Sequence, residues 1–438
     1  MKRIRKPPPK NVKPTRSILV EIEKPIYGGA FLARVEGKAM FVPLTLSGEQ
    51  AQVRIVEEKR GYATGEPEEI VTTSPDRVAP GCRHFGVCGG CNYQHASYAA
   101  QLVFKQEILR ETLQRGGVNA PETIDVLAGH EWQYRNRIRL GFDAAGRVGY
   151  RARRSHDLVP ISECPIASPL LVRAALSAAE ILREEKTGVR PTEVSLFCNA
   201  EETELLASIF VRDAAPRGFD RFFAEWKKRI PALVGAELIA EADAPQSAGA
   251  AAQLGEASLT YRAAGIDYRV DHRAFFQVNR WLVDALLDRV TAGRRGRLAW
   301  DLFGGVGLFS RRLAEGFDHV VAVESAPTAA KALAHNLHGV AATCVTTETL
   351  AFLSAQDKTG RPDLIVVDPP RTGLGAETTA LLVAVGAPAI VYVSCDPATL
   401  ARDLRAMINS GYVLSSVTLA DLFPQTFHLE SVVELRRS

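Results

Sequence analysis

The chain has 438 residues, enough for about three domains of ordinary size. Its 46% hydrophobic and 24% charged content excludes a disordered chain, and a net charge of +3 excludes a strongly polyanionic or polycationic protein. No apolar run has the length of a membrane span or the form of a signal peptide, so a cytoplasmic protein with no membrane partner is expected.

Residues 1–16 carry Lys2, Arg3, Arg5, Lys6, Lys10, Lys13 and Arg16, four prolines and no acid. This is a basic arm that cannot fold alone, either a nucleic-acid contact or a plain disordered tail. Residues 17–75 hold short β-rich runs, SILVEIE, AFLARVEG, KAMFVP and EQAQVRIVEE, parted by turn signals such as Tyr27-Gly28-Gly29. They predict a five-stranded OB-like barrel. The module resembles the TRAM domain of RNA-modifying enzymes.

Residues 76–96 form a Cys/Gly cluster, and 97–117 have apolar residues near helical spacing. Residues 128–270 alternate β-like and helical patches, which predicts a central α+β domain that also includes 76–96. An Ala/Gly/Ser-rich stretch at 242–256 reads as a loop or hairpin tip. From 271 to the C-terminus, strands LAWDLF, HVVAVE, DLIVVDPP and AIVYVSC alternate with helices. That rhythm predicts a Rossmann-like, parallel, doubly wound domain, to which 97–127 is assigned. The fold class is therefore multidomain α/β.

Strand LAWDLF runs into the glycine turn Phe303-Gly304-Gly305-Val306-Gly307-Leu308 and then a helix. Glycines admit a ligand close to the backbone, and Glu324, 20 residues past Gly304, ends the next strand where ribose hydroxyls are bound. The spacing is not G-x-G-x-x-G. With Asp368-Pro369-Pro370 after a later strand, it favours S-adenosylmethionine over a dinucleotide.

Cys395 in SCDP stands where a strand ends and a helix with Pro397 begins. A helix start lowers a thiol pKa and favours the thiolate, so Cys395 is either a nucleophile or a small core residue. Uracil C5 is too weakly nucleophilic to take a methyl group until a thiolate adds at C6. A base must then remove the C5 proton, and Glu430 and His428 of FPQTFHLE are candidates.

DLFGGVGLFS, DPPRTGL, YVSCDPATLARDL and FPQTFHLESVVEL, in that order, resemble the RNA uracil-C5 methyltransferase family across nearly the whole chain. The resemblance implies Cys395 as nucleophile, Glu430 as base and His428 in a supporting role. It implies Gln277, Phe303, Gly305, Glu324 and Asp368 at the cofactor, and Phe275 against the flipped target base. It implies methylation of a uridine in structured RNA to 5-methyluridine, with 23S rRNA favoured and tRNA the alternative. Two positions depart from the family: Leu308 replaces a usual Asn, and Glu348 stands where Asp or Asn is usual.

Cys82-x5-Cys88-x2-Cys91 and the distant Cys164 could satisfy zinc or an iron–sulfur cluster. The resemblance implies a [4Fe-4S] cluster, and the C-x3-C-x2-C of radical chemistry is absent. Cys198 and Cys344 read as buried core thiols. Residues 132–154 interleave seven arginines, among them Arg135 and Arg137, with Trp132, Tyr134, Phe142 and Tyr150. This suits unpaired RNA, with a solvated strand face as the alternative. No protein partner is evident, and a monomer is expected. An amino-methyltransferase and a non-catalytic RNA-binding scaffold are the competing functions. Arg371 after the prolines and the presence of Cys395 disfavour the first, and intact Cys395, Glu430 and glycine-turn positions disfavour the second.

Overall fold

Alternation along residues 17–72 closes a barrel. A computed structural model describes residues 16–184, 187–212, 217–240, 250–356 and 360–438. The predicted basic arm, apart from Arg16, and part of the 242–256 loop lie outside the described residues. Strands β1 (Ser17–Pro25), β2 (Ala30–Val35), β3 (Lys38–Pro43), β4 (Gln50–Glu58) and β5 (Tyr62–Thr72) run in the closed order β1-β2-β3-β5-β4. Val20, Ile22, Phe31, Met40, Val42 and Val53 point inward and are buried.

Helix α1 (Tyr98–Arg115) joins this barrel to the rest. Ser97 caps it by accepting from the Ala100 N–H. Its first half packs on the barrel, where Phe104 meets Phe31 edge-on at 5.3 Å. Its second half gives Ile108, Leu109 and Leu113 to the core of the C-terminal sheet. The short strand β6 (Asp125–Leu127) follows.

The central region is a seven-stranded sheet. It contains β7 (Arg137–Phe142), β8 (Val148–Arg151), β9 (Leu158–Pro160), β10 (Pro191–Cys198), β11 (Leu205–Val211), β12 (Leu233–Ala240) and β13 (Ala252–Gly255), in the order β13-β12-β11-β10-β7-β8-β9. Helices α2 (Pro169–Glu184) and α3 (Phe219–Arg229) share one core with it, and the buried Trp226 donates its indole N–H to the Ala174 carbonyl. Hairpin β14 (Ser258–Ala263) and β15 (Ile266–Asp271) packs Leu259, Tyr261, Tyr268 and Val270 into the core of the following domain.

That domain opens with α4 (Val283–Thr291). It continues β16 (Gly296–Leu302), α5 (Leu308–Leu313), β17 (Phe317–Glu324), α6 (Pro327–Asn336), β18 (Ala342–Thr346), α7 (Thr349–Ser354), β19 (Leu364–Val367), α8 (Gly375–Val385), β20 (Ala389–Ser394) and α9 (Pro397–Asn409). It ends with β21 (Tyr412–Ala420) and β22 (Glu430–Arg437). The sheet order is β18-β17-β16-β19-β20-β22-β21-β6. The first five strands are parallel, with β16 at the point where the order reverses, and this is where such sheets bind ligands. Strand β22 is antiparallel to β20 and β21. No helix among the described residues is long and apolar enough to cross a membrane.

One ion pair inside the molecule ties α1 to the segment before β22. Lys105 and Asp421 are both fully buried, with Nζ 2.5 Å from Oδ1. Nζ also donates to the Phe423 carbonyl at 2.9 Å. A buried charge left without its partner is expensive. Lys105→Met should therefore cost about 3–5 kcal/mol in urea unfolding, and Lys105→Met with Asp421→Leu should recover much of it. A loss under about 1 kcal/mol in the single variant would show that the pair is not needed for stability.

Candidate active site

The register of two strands brings the two expected catalytic residues together. Ser394 of β20 pairs with Ser431 of β22, so the next pair outward sets Cys395 opposite Glu430. Directly opposed residues of an antiparallel pair have Cα atoms about 4.5–5.5 Å apart. Val367 of β19 pairs with Tyr392 of β20 and Leu302 of β16 with Val367. Phe303, Asp368 and Cys395 therefore emerge from neighbouring strand ends.

The electrostatics of Cys395 correct the sequence expectation. Burial pushes its thiol up to about 12, and the Glu430 and Asp368 carboxyls add to the effect against Arg371. The helix start does not act as expected. The Asp396 carboxylate already accepts from the first free N–H groups of α9, those of Ala398 and Thr399, each at 3.0 Å. Glu430, 5% exposed, is itself raised well above the usual carboxylate range by burial and then by Asp368. Burial and then Asp301 raise Asp368 likewise. His428 is pulled down to about 4 by burial and Arg371, so it is neutral at physiological pH. Its Nδ1 accepts from Arg371 at 3.3 Å.

The glycine turn faces the same strand ends. Phe303 has φ 72, a strained value for an aromatic residue, and Gly305 has φ 55. The Gly305 N–H donates to Glu324 at 2.8 Å, while the other Glu324 oxygen accepts from Ala326 N–H at 2.7 Å. Gln277, buried, donates to Asp368 at 3.4 Å. Asp301 is fully buried. Ser310 donates to one of its oxygens, and the other has no partner. An unpartnered buried carboxylate oxygen beside this turn fits a cationic ligand such as S-adenosylmethionine. Leu308 is buried in the hydrophobic core and offers no polar group, and Glu348 is exposed before α7.

Phe275, two residues before Gln277, is 61% exposed. Arg137 supports that segment by donating to the Ala274 carbonyl at 2.7 Å, with its guanidinium 4.3 Å above the Phe197 ring. The aromatics of 132–154 are used differently from the sequence expectation. Tyr134 is fully buried with its hydroxyl on the Pro424 carbonyl, and Tyr150 is bonded to Cys164. Arg139 pairs with Glu193, and Arg153 and Arg154 with Glu66. These side chains turn toward cores and acids, so Tyr134 and Tyr150 are not free to stack on bases.

Cys82, Cys88, Cys91 and Cys164 line one cavity of about 300 Å³ with Arg135, Tyr150 and His428. Burial raises all four thiols, and Cys164 raises the other three further. Among the described residues, no group of three or more His, Cys, Asp or Glu is gathered closely enough to hold a single metal ion. Cys198 is fully buried as expected. Cys344 is only half-buried, because β18 is the edge strand.

Several residues around the site went unread in the sequence. Gln101 exchanges two bonds with Gln425, donating to its side-chain oxygen at 3.0 Å and accepting from its backbone N–H at 2.9 Å. The Gln425 carbonyl accepts from Asn92 and Tyr93, which follow Cys91. The signal available was Gln101 and Lys105 at helical spacing with the apolar Leu109, polar residues on a face that must be buried.

Residues 254–438 match the tRNA (Uracil-5-)-methyltransferase family and residues 11–67 the TRAM domain. The chain is 34% identical over 442 residues to 23S rRNA (uracil(1939)-C(5))-methyltransferase RlmD of Azoarcus sp., covering 95% of this chain and 99% of that protein. The chain belongs to the RNA uracil-C5 methyltransferase family. It is an S-adenosylmethionine-dependent enzyme acting on RNA. An uncharacterized RNA methyltransferase of Streptomyces avermitilis is 33% identical over 95% of this chain and 97% of its own length. The Pyrococcus abyssi tRNA (uracil-54, C5)-methyltransferase, solved with S-adenosyl-L-homocysteine, shares the fold. Its TM-score is 0.76 at 23% identity, over 95% of this chain and all of that one.

If the carboxyls keep the thiol protonated, neutralising them should expose it. Asp368→Asn with Glu430→Gln should speed iodoacetamide labelling of Cys395 at about pH 8 several-fold. An unchanged rate would show that burial alone holds the proton.

Proposed function

We propose that the enzyme methylates C5 of a specific uridine through a covalent bond between Cys395 and C6, with Glu430 as the base. The observation that carries this reading is the β20–β22 register, which sets a thiol and a buried carboxyl at the strand ends beside the glycine turn. The target uridine leaves its stack, and its base lies against Phe275, on the segment braced by Arg137. Cys395 loses its proton to solvent, and the thiolate adds to C6, moving electron density to the O4 enolate and C5. Bound S-adenosylmethionine would supply the methyl group to C5 and leave as S-adenosylhomocysteine, and its positive charge would offset the carboxyls that hold the thiol protonated. Gln277, Phe303, Gly305, Glu324 and Asp368 would hold it at the strand ends. Glu430, ionised at this stage, takes the C5 proton. The C6–S bond then breaks, its electrons returning to sulfur, and C5=C6 reforms. A carboxylate whose affinity for protons burial has raised suits this transfer.

The RNA read most directly from the relatives is 23S rRNA, with tRNA as the second reading, and either substrate would place the enzyme in the cytoplasm. Whole-length identity to a 23S rRNA enzyme supports the first, whereas the tRNA enzyme supports only the fold. Sequencing for 5-methyluridine in RNA from cells with and without the gene decides between them. Loss of a modified site in 23S rRNA is expected, and loss in tRNA alone would reverse the choice.

Cys82, Cys88, Cys91 and Cys164 are proposed to hold a [4Fe-4S] cluster. The four cysteines line one cavity of about 300 Å³, and four thiolates are the ligand set that such a cluster takes. Gly90 N–H and Tyr150 hydroxyl donate to the sulfurs of Cys88 and Cys164. Anaerobically purified protein should be brown, and Cys88→Ser should lose that absorbance. Colourless wild-type protein with full activity would exclude the cluster.

The chemical step is tested with RNA carrying 5-fluorouridine at the target. Fluorine cannot leave as a proton does, so a protein–RNA adduct should accumulate with wild type and not with Cys395→Ala. No adduct with wild-type protein on its cognate RNA would overturn the mechanism.

A further inference from the structure

The barrel reaches the catalytic centre through one side chain. Tyr27 sits in the turn between β1 and β2, and its hydroxyl donates to the second Asp396 carboxylate oxygen at 3.3 Å. The first oxygen is already engaged in capping α9. Asp396 is the residue directly after Cys395. The Tyr27 ring meets Phe427 edge-on at 5.8 Å, and Phe427 in turn packs on His428 with ring centroids 4.4 Å apart. Tyr27 thus touches both segments that form the site, the one after β20 and the one before β22.

Its position is built rather than incidental. The Tyr27 ring packs against the core of the C-terminal sheet, not that of its own barrel. The turn is closed by the Ile26 N–H donating to the Ala30 carbonyl. Gly29, with φ 85, lies so close to Asn92 that a Cβ there would stand 3.0 Å from that side chain. Asn92 is the residue whose N–H holds the Gln425 carbonyl. Lys24 of β1 pairs with Glu111 of α1 at 2.7 Å, fixing the same strand from the other side.

We infer that Tyr27 is a positioning residue for the methylation reaction: it locks the Asp396 carboxylate, and through it the turn that presents Cys395. The barrel is then a wall of the active site as well as an RNA-binding module. The inference rests on Cys395 being the attacking group.

Replacement of the hydroxyl alone tests it. Tyr27→Phe keeps the ring on Phe427 and removes the bond to Asp396. Formation of the 5-fluorouridine adduct should slow about tenfold, with RNA affinity and melting temperature unchanged. In an Asp396→Asn background, adding Tyr27→Phe should change the rate by less than about twofold, because the partner is already altered. Tyr27→Phe within about twofold of wild type would overturn the inference. So would an equal loss in both backgrounds, or a slower rate explained by weaker RNA binding. If wild type itself forms no adduct, the covalent mechanism fails instead, and the two failures are told apart.

Discussion

The site depends on one pairing, that of β22 antiparallel to β20. A purely parallel sheet would place every strand's carboxyl end on one side and every amino end on the other. A residue at the start of a strand could not then stand beside one at the end of its neighbour. Reversing β22 brings its first residue, Glu430, to the strand end that presents Cys395. A slip of one residue would turn Glu430 to the other face of the sheet, away from Cys395. The buried side chains of β22, Val432, Val433 and Leu435, resist such a slip because each has a fixed place in the cores on either face.

The segment before β22 has little regular structure of its own and is held from outside. Gln425, at φ 68, is fixed by Gln101 of α1 and by the backbone of Asn92 and Tyr93. Asp421 is fixed by Lys105, and the Pro424 carbonyl by Tyr134 of the central region. Elements from the barrel side, the cysteine loop and the central sheet therefore converge on the segment that delivers His428 and Glu430. The buried Lys105–Asp421 pair carries a desolvation penalty that hydrophobic residues would avoid. What it contributes is a defined height for this segment relative to α1, which a non-directional apolar contact would not set.

The parts of the site that were legible in the sequence are those whose chemistry is local. Phe303–Gly307, Asp368-Pro369-Pro370 and Cys395-Asp396-Pro397 each combine a strand end, a turn and a helix start, and each shows as a short pattern. The same holds for the barrel, whose alternating strands are short and close in sequence. The charge state of Cys395 was not legible. It is set first by burial and then by Glu430 and Asp368, which only the fold brings near, while Asp396 occupies the helix start. The roles of Tyr134 and Tyr150 were misread for a related reason. Composition marks an aromatic, arginine-rich run, but which residues face a core depends on the strands that pack beside it. Hairpin β14–β15 likewise joins the core of the C-terminal domain through contacts that no local pattern announces.

Proton loss from C5 is the step that gives Glu430 its role, and it can be followed directly. RNA carrying tritium at C5 of the target uridine should release one tritium for each methyl group transferred by the wild-type enzyme. The account predicts that Glu430→Gln still transfers the methyl group to bound RNA but retains the tritium, with the RNA left covalently attached to Cys395. Tritium release from Glu430→Gln at the wild-type rate would contradict it.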